Sequence, residues 1–449
     1  NLPVRYLLLG RKLTRRADGI LRCSRQERAQ DKGAWGLHDT FPRGNLSFRP
    51  GVRSNGASDP GGGGATLPTM VSTDPRPILH DALRLDGGDD HVELRYHAKR
   101  TRSVSVEGGR VDQAKVSEHT GVGVRVLSQG TFGFASTDQL EVGAVRRAIE
   151  TARAAARASA SARKVKLKAP PQVELAVGQF DAPGFDELNG ASIDERLKLV
   201  LDLEAHARKQ STKIVSASSG YTEIFEEKGI VTSDGASAWT RVARPELRVM
   251  TVAQSGGELQ RGARSVGVTG AWDCLFRGAS ADEMGDGAAQ MAVDLLTAPY
   301  PEGGRQKVLL SPSIVGLLTH EAVGHTVEAD FVEAGSCARG RIGSRVASDL
   351  VTLCDSGASE FADGAGGTLD VDDEGVRAEK VTIIENGVLK SYLHDRHTAA
   401  REGVAPTGNS RAWEYDDEPL IRMRNTYIAP GEQDLDDIIA GIKDGLMVD

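Results

Sequence analysis

The residues best suited to chemistry form the stretch His320-Glu321-Ala-Val-Gly324-His325, in which two histidines flank a glutamate. Imidazole and carboxylate groups are ligands that Zn²⁺ accepts, and in the HExxH arrangement the two histidines share one helical face. Here they are five residues apart, which in a regular α-helix turns the second side chain about 140° away from the first. We therefore predict a π-type turn, tolerated at Gly324, that brings the imidazoles together. A chance match is the alternative, but two imidazoles and a carboxylate without partners would be costly in so apolar a helix.

The sequence after residue 210 predicts the elements that position this motif. Ser311-Pro312 predicts the start of the motif helix, because proline suits the first helical position. Ser280 with Glu283 predicts a capping box on an earlier helix, and Asn386-Gly387 predicts a type I′ hairpin turn. The segments KIVSASSG, YTEIFEE, GIVTSDG and ELRVMTVAQ read as short strands at roughly ten-residue spacing, which indicates a sheet that curls or closes.

Residues 77–210 have the pattern of an α+β domain. Alternating Val92, Leu94 and Tyr96, then 121–128 and 131–136, predict an antiparallel sheet. The Ala-rich stretch 142–164 predicts a long helix. Ser192 with Glu195 predicts a capping box on a second helix.

Composition sets limits on the rest of the molecule. The 449 residues carry a net charge of −8, but residues 1–70 carry +7 and 11 glycines with no sustained periodicity. We predict that 1–76 is a disordered or non-native extension, since Met70 is the first methionine. The acidic remainder does not favour nucleic acid, and we expect no membrane segment. Four cysteines without CxxC spacing favour a reducing compartment, the cytoplasm.

Several motifs resemble the TldD branch of the TldD/PmbA metalloprotease family, which includes proteins described as modulators of DNA gyrase. They are GLLTHEAVGHTVEADF, VASDLVTLCD, LDVDDEGV, IIENGVLKSYLHD, PTGNSR and MRNTYIAPG, in family order. The resemblance covers roughly residues 77–449. It implies an N-terminal α/β domain over 77–210 and a β-rich, barrel-like metalloprotease domain over 211–449. It also implies that His320 and His325 bind Zn²⁺ and that Glu321 is the general base.

The resemblance further implies a peptidase for unfolded or short peptides, paired with a homologous PmbA-type subunit or with itself. The family's third ligand is a cysteine near its C-terminus, and the chain ends at Met447-Val448-Asp449 before reaching it, so we expect a truncated sequence with an incomplete site. Cys337 and Cys354 are interpreted as structural, with substitution by Cys337 a minor alternative. The rival function is a non-catalytic regulatory or binding subunit.

Weaker candidates remain open at this point. The turn containing Asp372 and Asp373 is either a solvated acidic turn or a support for substrate or the metal helix. Thr407 and Asn409, in a Pro-Thr-Gly-Asn turn, are further candidates for peptide binding. His394 and His397 are interpreted as surface histidines. Glu328 and Asp330 could accept hydrogen bonds from the imidazoles of the motif.

Overall fold

The computed structural model describes residues 11–14 at backbone level, 74–163, 166–167 and 169–449. Apart from residues 11–14 and 74–76, the predicted extension over 1–76 therefore lies outside the described residues. Among the described helices, none combines the length and apolar content that a bilayer crossing requires.

The first half of the described chain contains one large sheet, the helices that pack on it and a short first strand that belongs to a smaller sheet. Its elements are β1 (Arg11–Thr14), α1 (Pro75–Asp86), β2 (His91–Glu107), β3 (Arg110–Ser128), β4 (Thr131–Thr137), α2 (Val142–Ala160), β5 (Val177–Asp181), α3 (Phe185–Gly190), α4 (Ile193–Lys209), β6 (Ile214–Thr232), β7 (Ser237–Ser255), β8 (Glu258–Gly267), a 3₁₀ turn (Trp272–Phe276) and α5 (Ala281–Leu295).

The second half consists of short elements joined by long connections. They are β9 (Val308–Leu310), α6 (Pro312–Thr319), a π-turn (His320–Gly324), α7 (His325–Val327), α8 (Ala329–Ala334), β10 (Leu353–Ser356), β11 (Val381–Glu385), β12 (Val388–Leu389), α9 (Arg396–Glu402), β13 (Ser410–Arg411), β14 (Leu420–Ile421), β15 (Asn425–Ile428), α10 (Leu435–Ala440) and β16 (Asp444–Val448). The small sheets run β12-β11-β10-β15, β13-β14 and β1-β16-β9.

The large sheet runs in the order β4-β3-β2-β6-β7-β5, with β8 also paired to β7. All its pairs are antiparallel except β5 with β7. The pairing of β2 with β6 crosses the boundary predicted between residues 210 and 211, so the two predicted domains share one sheet. The mixed architecture of helices and antiparallel sheet agrees with the predicted α+β class.

The prediction of three short strands between residues 213 and 235 was wrong, since β6 is continuous from Ile214 to Thr232. Gly220 and Gly229 lie inside the strand rather than at turns. A Cβ at Gly229 would lie 2.1 Å from the ring of Trp239, so the glycine is required by the close approach of a neighbouring strand. The pattern of the sequence could not distinguish this use of glycine from a turn.

Several local predictions are confirmed. Ser280 and Glu283 form the complete capping box of α5. Asn386 and Gly387 both have positive φ, 45° and 80°, as a type I′ turn between β11 and β12 requires. Ser192 caps α4 through the backbone N–H of Asp194 at 3.2 Å, without the reciprocal bond predicted from Glu195.

The two faces of the large sheet differ in chemistry, because successive side chains of a strand alternate between faces. Val92, Leu94 and Tyr96 belong to an apolar core with α1 and α2. The alternate positions of β2 are buried charged or polar residues, namely Glu93, Arg95, His97 and Lys99. This charged face contacts the C-terminal half, for example where Arg95 donates to the carbonyl of Glu414 at 3.1 Å.

Candidate metal centre

The helix that carries the histidine motif changes its hydrogen-bonding pattern at the predicted place. Ser311 caps α6 by accepting a hydrogen bond from the N–H of Ile314 at 3.4 Å. The backbone N–H of His325 donates to the carbonyl of His320, five residues earlier, and His320–Gly324 forms a π-turn. The rings of His320 and His325 consequently lie 4.8 Å apart between centroids. The π-turn predicted from the spacing is confirmed.

Gly324 contributes to this turn for a different reason from the one predicted. Its φ of −52° and ψ of −56° are ordinary right-handed helical values that any residue adopts. A Cβ there would instead lie 1.8 Å from the sulfur of Met423, which is 4% exposed. Gly324 is therefore required by the close packing of Met423 against the π-turn.

The side chains of His320, Glu321 and His325 converge on one point. Each offers a ligand atom, and these atoms lie within 4.8 Å of one another. Both histidines are half-buried and Glu321 is exposed, so the group opens to solvent. Two imidazoles and a carboxylate at this separation fit a divalent ion such as Zn²⁺.

A buried glutamate orients the second histidine. Glu328 is fully buried, and its Oε2 lies 3.1 Å from Nδ1 of His325, which leaves Nε2 of the ring for an ion. Burial raises the pKa of the Glu328 carboxyl, although His325 opposes that shift. Asp330, the other predicted partner, accepts a hydrogen bond from the backbone of Phe331 instead.

The cysteines do not extend this group within the described part of the chain. Cys274 and Cys354 are buried, Cys337 is exposed, and none belongs to the cluster of His320, Glu321 and His325. Among the described residues, the structure thus brings together two imidazoles that can hold an ion and, beside them, the carboxylate of Glu321.

Of the two interpretations left open for the turn at residues 372–374, the solvated turn is excluded, because the three acidic side chains are buried at the charged face of the large sheet. Asp372 accepts hydrogen bonds from the N–H groups of Glu374, Val376 and Ser410. Burial raises the pKa of Asp372 to about 7 despite these bonds. The turn is held inside the protein, which favours the alternative interpretation of a structural support.

Asp373 faces the cations of the sheet. It accepts two hydrogen bonds from Lys228, at 2.9 and 3.1 Å, and one from the N–H of Ala412 at 2.8 Å. Burial alone would raise its pKa, but the charges of Lys228 and Arg95 lower it to about 2. Asp373 therefore joins the large sheet to the segment that leads into β14 and Met423.

Thr407 and Asn409 also make internal contacts. Thr407 Oγ1 bonds to both the N–H and the carbonyl of His394, at 2.7 and 3.0 Å. Asn409 is fully buried and donates to Asp355 and to the carbonyl of Arg422, each at 2.9 Å. Peptide binding by these residues stays an untested prediction, and their contacts support a positioning role.

The surface location predicted for His394 and His397 was wrong for the first and is only partly correct for the second. His394 is 3% exposed, and burial lowers its pKa. Its Nδ1 lies 3.1 Å from Thr398 Oγ1. His397 is half-buried and packs its ring edge-on to Phe132, on the large sheet.

Sequence reasoning missed Asp355 of β10, which accepts several hydrogen bonds from the segment 409–426. Its fully buried carboxylate accepts hydrogen bonds from the backbone and side chain of Arg424, from Asn409 and from Thr426, all between 2.8 and 2.9 Å. A single acidic residue at the end of an apolar strand carries no local signal of such a role, because its partners lie more than 50 residues away.

Comparison with models of known families shows to which family the chain belongs. Models of the first, central and C-terminal domains of the PmbA/TldA metallopeptidases match residues 92–156, 186–296 and 303–449. The chain belongs to the TldD/PmbA family. The motif helix lies at the start of the segment matched by the C-terminal model.

Similarity to individual proteins agrees with this family assignment. The chain is 32% identical over 360 residues to a protein named metalloprotease from Methanothermobacter thermautotrophicus, covering 80% of this chain and 76% of that protein. It is 40% identical over 153 residues to one named zinc metalloprotease TldD homolog from Saccharolobus solfataricus, covering 34% of each. The crystal structure of TldE from Thermococcus kodakarensis has the same fold, with a TM-score of 0.65, 21% identity, and coverage of 82% of this chain and 81% of that one.

Proposed function

We propose that this TldD/PmbA chain is a zinc-dependent peptidase that hydrolyses unfolded or short peptides. The observation that carries the proposal is the π-turn that brings His320 and His325 together beside Glu321. His320 and His325 would hold the ion. A bound Zn²⁺ would act as a Lewis acid toward the scissile carbonyl.

Glu321 supplies the proton transfers in this proposal. Its exposed carboxylate follows His320 directly in the chain and lies within the same cluster as both imidazoles. It accepts a proton from the attacking water and returns one to the leaving amine. Glu328 holds the His325 ring in place during these steps through the 3.1 Å contact.

An edge strand next to the motif helix suits an extended substrate. β15 is the last strand of the sheet β12-β11-β10-β15, its four residues are half-exposed, and α6 packs against it. A peptide added along this edge would be bound through its backbone, which makes cleavage tolerant of sequence but requires an unfolded chain.

Replacement of Glu321 by glutamine tests the catalytic role. The full chain, loaded with Zn²⁺, is expected to cleave a short unstructured peptide, and Glu321→Gln is expected to lower kcat by about 10²- to 10⁴-fold while zinc content is retained. Glu432→Gln, at an exposed glutamate outside the cluster, is the matched control. Equal activity of Glu321→Gln and the control would instead favour the rival function, a non-catalytic regulatory or binding subunit.

We also propose that the chain works with a homologous subunit or a second copy of itself. The apolar side chains of Leu317 and Leu318 on α6 are each 52% exposed, next to the candidate metal centre, which supports a covered surface there. Light scattering on the purified chain, alone and mixed with a homologous subunit, should show a species of at least twice the mass of one chain. A single-chain mass in both samples would contradict the proposal.

A further inference from the structure

A cavity of about 330 Å³ lies directly beside the candidate metal ligand His320. One wall is the motif helix, where Gly316 and His320 are four residues apart and therefore face the same side. The other walls are β15 and the segment 358–365. A group bound in this cavity would lie next to any bond that is cleaved at the metal centre.

The side chains around the cavity are mostly small or aromatic. Ala358, Ala362 and Ala365 present methyl groups, and the rings of Phe361 and Tyr427 pack edge-to-face with centroids 5.0 Å apart. Phe361 is 62% exposed. An aromatic ring held open to solvent at the rim of a cavity gains from contact with an apolar ligand.

The charged side chains of this lining, other than His320, are already paired within the protein. Glu360 binds Lys380 at 2.8 Å and the hydroxyl of Tyr427 at 2.5 Å. The guanidinium of Arg424 is buried and its Nε donates to Asp355 at 2.8 Å, whereas its Nη1 has no partner among the described residues. Because each charge is balanced by an ion pair, the cavity offers little to a charged ligand, and its methyl and aromatic groups favour an apolar one.

We propose that this cavity is the subsite for a large apolar side chain, aromatic or branched aliphatic, of the peptide residue next to the scissile bond. The inference rests on the proposed peptidase function and adds a substrate preference to it. An extended peptide paired with β15 directs alternate side chains to one face, so one of them can enter the cavity while the backbone lies along the strand. In an apolar pocket, one methylene group more or less already changes the discrimination between substrates by roughly 10- to 200-fold.

Gly316 offers a way to fill the cavity from the helix. A Cβ at Gly316 meets no atom within 4 Å, so leucine there would project into open space without a clash. Two peptides that differ only in phenylalanine or glycine at the position next to the scissile bond are compared by kcat/KM with the zinc-loaded full chain. We expect the phenylalanine peptide to be preferred at least about tenfold, and Gly316→Leu to reduce that ratio to near one.

Gly190→Leu is the matched control. A Cβ at Gly190, an exposed residue at the end of α3, also meets no atom within 4 Å, and Gly190 does not line the cavity. The control should keep the wild-type ratio. Circular dichroism and zinc content verify that both leucine variants fold and load equally.

Binding to Glu321→Gln, measured by calorimetry, separates this inference from the proposed function. Tighter binding of the phenylalanine peptide that is lost in Gly316→Leu/Glu321→Gln supports the subsite, even if the wild-type chain cleaves neither peptide and the peptidase proposal fails. The subsite is overturned if Glu321→Gln binds the two peptides equally or binds neither. It is also overturned if Gly316→Leu leaves the preference for the phenylalanine peptide unchanged.

Discussion

A single buried carboxylate determines how His325 is presented to an ion. Glu328 has no exposure to solvent, and its Oε2 is 3.1 Å from Nδ1 of His325. A hydrogen bond to Nδ1 fixes both the tautomer and the orientation of the ring, which raises its basicity toward a metal. The geometry of the candidate centre therefore depends on a residue that need not touch the ion.

Replacement of Glu328 by alanine is expected to weaken Zn²⁺ affinity by about 10- to 100-fold, because the ring of His325 loses its acceptor. Glu328→Gln keeps an acceptor oxygen and should give an intermediate value. Asp330→Ala removes a nearby carboxylate that bonds to backbone rather than to His325, and serves as the control. Competition with a chromophoric chelator measures each affinity. Indistinguishable affinities for Glu328→Ala and the control would contradict the orienting role.

At the scale of elements, the π-turn and the segment after β14 are fitted to each other. Met423 packs where a Cβ of residue 324 would be, so the two elements approach as closely as glycine permits. Met423 also accepts a hydrogen bond from Arg411 through its carbonyl, which ties this segment to β13. The motif helix is thus positioned from the side by β13, β14 and the strand that follows.

Gly324→Ala is expected to destabilise the protein by about 1–3 kcal/mol, because the added methyl overlaps Met423 in a packed region. Met423→Ala should cost about 2–5 kcal/mol by leaving a cavity. In the double variant the side chain of residue 423 no longer overlaps the methyl group of residue 324. Its destabilisation should therefore be smaller than the sum of the two single variants. Urea unfolding of the four proteins measures the coupling. Strictly additive costs would show that the contact does not constrain the turn.

Most of the elements that the sequence predicted correctly carry a local signal. The π-turn followed from the five-residue spacing of His320 and His325, and the caps of α5 and α6 followed from Ser280 and Ser311. Features that depend on distant partners were not predictable. Gly229 of β6 resembled a turn residue because its neighbour Trp239 lies on another strand, and a surface turn stayed possible at 372–374 because the cations that its side chains meet lie on β2, β3 and β6.

At the scale of the whole molecule, a buried ionic layer joins the large sheet to the C-terminal half. Arg125 pairs with Glu93 on the sheet and with Glu374 on the acidic turn. Lys228 pairs with Asp373 at 2.9 Å. Buried pairs of this kind are costly to break from one side, because the remaining charge stays desolvated. The position of the C-terminal half on the sheet therefore depends on them.

The lowered pKa of Asp373 predicts that the stability of this interaction depends on pH. Lys228 and Arg95 hold its pKa at about 2 against the effect of burial, below the ordinary value of 3.8. A lowered pKa stabilises the folded state above about pH 4, and this contribution of about 2 kcal/mol is lost as the pH falls toward 2. Asp373→Asn should remove that part of the acid sensitivity, and at pH 7 should cost roughly 3–5 kcal/mol by leaving buried cations unpaired.

Thermal unfolding midpoints of wild type and Asp373→Asn between pH 7 and pH 3 measure both effects. Asp370→Asn, at an exposed aspartate three residues earlier, is the control and should follow the wild-type curve. Parallel curves for Asp373→Asn and the control would mean that Asp373 does not carry the interaction between the sheet and the C-terminal half.

Because β2 is a central strand of the large sheet, its position limits which fragments of the protein can fold alone. One edge of β2 pairs with β3, and the other pairs with β6 through 15 residue pairs. A polypeptide that ends at residue 210 would lack β6. The backbone N–H and C=O groups on that edge of β2 would then be unpaired, and strands of other copies could pair with them. Expression of the N-terminal portion by itself should therefore yield insoluble material, and screens for a minimal soluble fragment should retain at least β6 and β7.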